Sequence, residues 1–318
     1  MAALTTAFEI LVSGLQQGAI FALLGIGLTI ILGTMEFLNL AHGALYMLGA
    51  YLGLVVAEEI SLSTGWLVGI VPDPQAFGLG LEYTVAIAVV VLVMFVVGVL
   101  MERFVARPLY GRSEVDQLLI TFGLAIIAQE LIKQLFGPDP KPSYAPARLF
   151  GLDVSGNVTL PLAGSFTTWR LLIVGLTIVT IGITFFLIKR TDFGLVVQAG
   201  TRDSEMVRLL GIRITRANMV VFGIGAALAG FSGLVGGTII NLNPLMGLDN
   251  ALIPAFLTIV VGGAGSVVGA IVAGFLLGII FAGMQFLAAQ WAYIILFGFV
   301  AVVLLTRPEG LFGSVEVS

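Results

Sequence analysis

No cysteine occurs in this chain, which excludes disulfides, thiolate metal sites and cysteine nucleophiles. There is one histidine, His42, too little imidazole for the haem or zinc sites that gather several such ligands. Charge is scarce too: Asp, Glu, Lys and Arg make up 10% of 318 residues, where a soluble domain carries roughly 25%. So small a charged fraction cannot clothe a water-facing surface. A formal net charge of -4 and a pI near 5.0 argue against a nucleic-acid partner. No early segment joins a basic flank to an apolar core and a small-residue cleavage site, so the first apolar run is expected to be retained as a span.

What is present is apolar: 59% of residues are hydrophobic and the mean hydropathy is +1.13. The chain reads as all-α, a polytopic transmembrane helical bundle of about 8–9 membrane helices, some of them short or broken. Apolar stretches run approximately from Phe8 to Gly33, Gly43 to Ala57, Tyr83 to Met101, Leu118 to Phe136, Leu171 to Ile188, Ala217 to Ile240, Ala251 to Gly262, Val267 to Ala288 and Trp291 to Leu305. Crossing takes about 20 helical residues, so 43–57 and 251–262 are short.

Basic residues orient this map. Arg103, Arg107 and Arg112 follow the third stretch, Lys189, Arg190, Arg202, Arg208, Arg213 and Arg216 follow the fifth, and Arg307 follows the last. The positive-inside tendency makes these cytoplasmic. Lys133, Lys141, Arg148 and Arg170 flank the connection of about 137–169, which is expected to face outward, as is the acidic one holding Glu58, Glu59, Asp73 and Glu82. If all nine stretches cross, the amino terminus is external and the carboxyl terminus cytoplasmic; a re-entrant short stretch would change the parity. The Asn157-Val158-Thr159 triplet is read as a chance glycosylation pattern.

Glycine is abundant at 41 residues, many inside spans, as in GLVGG (233–237) and VVGGAGSVVGAIVAGFLLG (260–278). Small residues let helix backbones approach where lipid gives no hydrophobic drive to associate, and tight packing is the first explanation for each.

Two polar interruptions stand out. EFLNLAHG (36–43) follows the first span, and INLNPLMGLDN (240–250) follows the sixth. On the orientation above, those spans run in opposite senses, the footprint of an inverted repeat whose broken helices expose backbone groups to a central pathway. Such breaks survive at membrane depth only where protein or a wet cavity satisfies the freed groups. Pro244 donates no backbone bond and biases Asn243 away from helix. The competing reading is a pair of ordinary polar turns at the membrane surfaces. Asn39, Asn241, Asn243 and Pro244 are the candidate pathway residues, their amides either lining it or capping helices. His42 either braces the restart of the second helix or exchanges protons.

Elsewhere, Gln16 and Gln17 read as interfacial or helix-to-helix hydrogen-bond groups, Thr29 and Thr258 as bonding their own helix backbones, and Glu130 with Lys133 as a structural pair. The basic segment 189–218 offers Thr201, Asp203 and Ser204 as helix caps, with Met206, Val207 and Leu210 forming an apolar face beside Arg208. Such a helix lies on headgroups or docks into a partner's groove. Asp203 and Glu205 among the arginines argue against simple adsorption to anionic lipid.

Taken together, GLTIILGTMEFLNLAHGALYMLGAY, GLVVQAGTRDSEMVRLLGI (194–212), GGAGSVVGAIVAGFLLG and the terminal RPEGLFG (307–313) resemble the H-type membrane permeases of bacterial and archaeal ABC importers for branched-chain amino acids. The likeness covers nearly the whole chain. It departs in the third quarter, where Gln198 stands in place of a common arginine and Met206 and Val207 in place of common alanines.

The resemblance implies a single permease domain over 1–318 in the cell membrane of a bacterium or archaeon. It also implies a second permease, identical or related, two cytoplasmic ATPases that bind ATP and Mg, and an extracytoplasmic binding protein that delivers solute. It makes 190–216 the ATPase-coupling segment, with Gly194, Asp203, Glu205, Arg208, Leu210 and Gly211 its contacts, and Asn39, His42, Asn241, Asn243 and Pro244 the pathway. With no GxxxxGK[ST] loop here, ATP hydrolysis falls to another polypeptide; this chain is a transport subunit, carries no cofactor and is not an enzyme. The connection with Pro138, Pro140, Pro142 and Pro146 would dock the receptor. The same superfamily could carry urea, a short amide, a sugar or a nucleoside instead. An ion-coupled carrier or channel would need a relay of buried ionisable groups, which the spans lack.

Overall fold

A computed structural model describes residues 2–160, 164–202 and 214–313. Its principal helices are α1 (Ala2–Met35), α2 (His42–Ala57), α3 (Leu67–Ile70), α4 (Tyr83–Met101), α5 (Glu114–Phe136), α6 (Thr168–Arg190), α7 (Asp192–Arg202), α8 (Ile214–Gly236), α9 (Ile253–Gly262), α10 (Val267–Ala288) and α11 (Ala292–Thr306). Among the described residues, six helical runs are long and apolar enough to cross a membrane, and α2 and the 247–262 run are shorter apolar helices. The chain is a multi-pass helical bundle. At 1.5 Å per residue α2 reaches only about 24 Å, short of a ~30 Å hydrocarbon core.

Local chemistry accounts for the boundaries. The Val-rich α4 would be a weak helix in water, but in lipid each backbone group must bond within its own segment. It passes through a π-turn, Glu102–Ala106, and stops after Arg107–Leu109, where Pro108 withholds a donor. Ser113 caps α5 by accepting the Asp116 N–H at 3.2 Å, with Glu114 and Asp116 at the positive helix end; α5 closes at Gly137, φ +87°. The α8 helix ends at Gly236 rather than at Ile240 as the apolar run predicts. The four residues beyond it turn, and Gly237 accepts a bond from the Tyr144 N–H.

The predicted outward connection is more ordered than a proline-rich loop. It holds two hairpins: β1 (Arg148–Leu149) with β2 (Leu152–Asp153), and β3 (Asn157–Leu160) with β4 (Gly164–Thr167), paired Asn157↔Thr167 through Leu160↔Gly164. Asn157, Val158 and Thr159 are therefore strand residues.

The chain divides into two compact units, and unit membership changes inside the first interruption, between Phe37 and Leu38. One unit comprises residues 1–37, 156–221 and 254–318. Its core is α1 against α10, where Gly18 and Gly278 meet backbone to backbone and Phe21 leans on Phe281. Arg170 of α6 reaches α1, donating to Gln16 Oε1 at 3.1 Å and Ser13 Oγ at 2.7 Å; Gln16 is thus the helix-to-helix group predicted. Thr258 donates to the Pro254 carbonyl at 2.8 Å as predicted, whereas the buried Thr29 hydroxyl has no partner among the described residues, a correction to its expected backbone bond.

The other unit comprises 38–155 and 222–253, with α2 at its centre against α4, α5 and the end of α8. Tyr144 plugs the gap between α2 and α8, its hydroxyl bonding the Ala50 carbonyl at 2.8 Å and the Leu234 carbonyl at 3.3 Å. Glu130 and Lys133 pair at 3.2 Å on the exposed side of α5, as predicted.

Candidate functional site

The first interruption is real: α1 stops at Met35, Glu36 takes φ +49°, and helix resumes at His42. Each donor freed there needs an acceptor. The Leu38 N–H goes to Gln117 Oε1 at 3.1 Å and the Leu40 N–H to Thr121 Oγ1 at 3.1 Å, both from α5. Asn39 serves the Ala41 N–H through Oδ1 at 3.0 Å, and its carbonyl takes the His42 N–H at 3.3 Å. Asn39 thus does capping work. It is fully buried, and its Nδ2 has no partner among the described residues. His42 is fully buried as the first residue of α2.

The second interruption is built by the same means. The Asn241 side chain accepts the Ser143 N–H at 3.2 Å, and Asn243 accepts the Leu245 N–H at 2.9 Å across Pro244. Lys141 and Leu242 exchange backbone bonds at 2.8 and 2.9 Å, tying the 137–155 part of the connection to this break. Helix restarts as a π-turn, Gly247–Leu252, which no sequence pattern announced, and continues as α9.

The two restarts meet. A methyl group on Gly43 would fall on the Gly247 carbonyl, so the start of α2 touches the 247–252 turn directly. Beside this contact lies a cavity of about 280 Å³, walled by Leu40, Gly43 and Met47, by Phe122, Ala125 and Gln129 of α5, and by Pro244, Leu248 and Leu252. The wall carries no charged side chain, and Gln129 is its one side-chain amide. Of the predicted pathway residues only Pro244 reaches it; Asn39, His42, Asn241 and Asn243 lie off the wall and shape the chain that forms it.

Of the predicted coupling residues, Gly194 is described. It is buried in the first turn of α7, its N–H bonding Thr191 Oγ1 at 3.2 Å, and a methyl there would strike the Ile188 carbonyl. Thr201 is helical in α7, and the residues it is expected to cap lie outside the described ones. Asp203, Glu205, Arg208, Leu210 and Gly211 lie outside the described residues, as do Ser204, Met206 and Val207.

Two further quoted motifs form one structure. RPEGLFG folds back on the end of α9: the Leu311 N–H bonds the Val261 carbonyl at 2.7 Å and the Phe312 N–H bonds that of Gly262 at 3.1 Å. Gly263 and Gly310, at φ +98° and +82°, touch. Phe312, Val197 of α7, Lys189 and Thr29 line a second cavity of about 590 Å³ in the same unit.

Sequence reasoning missed Gln117, Thr121 and Glu102. The first two read as stray polar positions in an apolar helix, although their i, i+4 spacing placed them on one face. Glu102 is, among the described residues, a lone buried carboxylate beside spans that read as nearly free of charge. Its side chain is fully buried at the end of α4, paired with Arg107 Nη2 at 2.8 Å and accepting the Tyr110 hydroxyl at 3.2 Å. Its signal was an acidic residue five positions before Arg-Pro.

Compared with known proteins, residues 10–305 match the family described as branched-chain amino acid transport system / permease component. BraD of Pseudomonas aeruginosa, a high-affinity branched-chain amino acid transport system permease protein, is 32% identical over 96% of each chain. LivH of Escherichia coli K12, of the same description, is 28% identical over 96% of this chain and 95% of its own. LivM of Salmonella typhimurium is 24% identical over 92% of this chain and 67% of its own. No solved structure matches.

Proposed function

This chain belongs to the branched-chain amino acid transport permease family, and from that premise we propose that it is the membrane subunit through which an ABC importer moves leucine, isoleucine, valine or a similar small neutral amino acid. The observation that carries the substrate class is the 280 Å³ cavity beside the two helix restarts. Its size approaches the ~300 Å³ lower end of small-molecule sites. Its wall suits an aliphatic side chain, its one amide can hydrogen-bond a polar head, and the lack of charge suits a ligand without net charge. Likeness to both LivH-type and LivM-type permeases favours a related second permease completing the channel.

The remaining parts follow from the family. An extracytoplasmic binding protein delivers solute to the 137–169 connection, whose Lys141–Leu242 bridge lies two residues from Pro244. Two cytoplasmic ATPases hold ATP and Mg and dock on the 190–216 segment, with Asp203, Glu205, Arg208, Leu210 and Gly211 as contacts. The setting is the cell membrane. Alternating access then rests on differential binding: closure of the ATPase pair favours one packing of the permeases over the other.

The test is uptake by the complex reconstituted with its ATPases, partner permease and receptor. Radiolabelled leucine should accumulate with ATP, and Ala125→Trp, which fills the cavity, should abolish accumulation while the complex still assembles and hydrolyses ATP. Accumulation of urea, a sugar or a nucleoside in preference to leucine would overturn the substrate assignment.

A further inference from the structure

Half of α5 is held to its unit by hydrogen bonds in place of packing. The buried residues of this helix are Gln117, Thr121, Ile132 and Phe136. The two apolar ones lie in its last two turns. Over the first half the buried side chains are an amide and a hydroxyl, while Val115, Leu119, Ile120 and Ile127 are exposed and Phe122 and Ile126 border the cavity. We infer that Gln117 and Thr121 are positioning residues for transport: they fix the spacing between α5 and the α1–α2 break, and so the width of the cavity between them. The inference rests on the reading of that cavity as part of the solute pathway.

Both side chains are committed at each end. Gln117 accepts the Leu38 N–H through Oε1 and directs its Nε2 at the Arg112 carbonyl, 3.5 Å away. Thr121 donates to the Gln117 carbonyl at 2.7 Å and accepts the Leu40 N–H at 3.1 Å. One and two turns after Thr121 come Ala125 and Gln129, Leu40 itself lines the cavity and the α2 wall begins at Gly43, so the anchors and the cavity share the same pair of backbones. On its other side Gln117 meets the 107–112 corner, which Glu102 holds through Arg107 and Tyr110. A shift of that corner therefore reaches the break through one side chain. Groups freed from Gln117 and Thr121 would be left unsatisfied in an apolar setting, so the contact favours being whole or absent over being half made.

The absence of native cysteine gives a clean background for the test. Spin labels at Leu92→Cys on α4 and Ile127→Cys on α5, both exposed positions of one unit, report the placement of α5. In the assembled complex, Gln117→Leu with Thr121→Val should broaden the label distance distribution and lower leucine taken up per ATP about tenfold. Thr121→Ser, which keeps the hydroxyl, should preserve both. A distance distribution unchanged in the folded double variant overturns the inference, as does unchanged uptake per ATP beside a broadened one. A parent complex that carries no neutral amino acid instead refutes the functional reading, and the distances then judge the anchor alone.

Discussion

Gly49 and Gly230 place the backbones of α2 and α8 in contact, so close that a methyl group on Gly49 would land on the Gly230 carbonyl. Gly233, one turn further along α8, approaches the Tyr46 carbonyl in the same way. Neither helix can yield at backbone atoms. Gly49→Val should therefore destabilise the protein by about 1–3 kcal/mol, the usual cost of overpacking, or prevent a monodisperse preparation. Thermal unfolding in detergent, followed by size-exclusion chromatography, measures this, and Gly123→Ala, at a glycine with nothing near its missing methyl, is the neutral control.

Gln129 is the one side-chain amide on the cavity wall. Gln129→Leu should raise KM for uptake about tenfold, the cost of a lost hydrogen bond to a charged head group, while ATP hydrolysis without receptor stays as it was. Transport titrations with leucine-loaded receptor resolve the two quantities.

The Glu102–Arg107 pair joins a fully buried carboxylate to a guanidinium about one-third exposed. Glu102→Gln should cost about 1–2 kcal/mol, less than the 3–5 typical of a wholly buried pair because Arg107 can turn toward water. Limited proteolysis across 103–112 should quicken in the variant.

The carboxyl-terminal strap depends on two glycines at positive φ that touch one another. Gly310→Ala adds left-handed strain of about 1–2 kcal/mol and sets a methyl against the Gly263 backbone. The 307–313 segment should then become protease-sensitive while α9 and α10 remain protected.

Glu58, in the connection after α2, has its carboxyl pushed above the ordinary value of 4.5 by burial. The folded state therefore keeps this proton to higher pH than the unfolded chain. The associated stability is fully present below the unfolded value and is lost as pH rises through the folded one. Glu58→Gln should match the parent in Tm near about pH 4 and exceed it near about pH 7. Equal Tm differences at both would contradict the assignment.

The sequence made the helices legible because long apolar runs have one stable form in lipid. It also marked both interruptions, since Asn-Leu-Asn-Pro and Leu-Asn-Leu between glycine-rich spans leave donors that helix cannot use. It did not show which amide does what. Asn39 read equally as lining a pathway or capping a helix; its Oδ1 caps the Ala41 N–H, while the acceptors for Leu38 and Leu40 come from α5, far away in the chain, a pairing that no local pattern encodes. The first hairpin, 148–153, was hidden for a related reason: its two-residue turn through Phe150 and Gly151, at φ +50° and +75°, is stabilised by Thr84 and Glu82, residues at the start of α4. The meeting of RPEGLFG with the end of α9 is likewise a tertiary fact. Each motif was visible, and their partnership was not.

The burial of α2 also sets an order of assembly. As this helix leaves the ribosome it is too short to span the bilayer by itself, and the surfaces that enclose it, at Gly230, Gly233 and Gly247, belong to chain not yet made. Synthesis must pass through α4, α5, both hairpins and α6 before α8 arrives. Until then α2 has α4 and α5 beside it but not α8, so a nascent chain arrested before residue 230 leaves Gly49 and Gly53 without the helix they are shaped to meet.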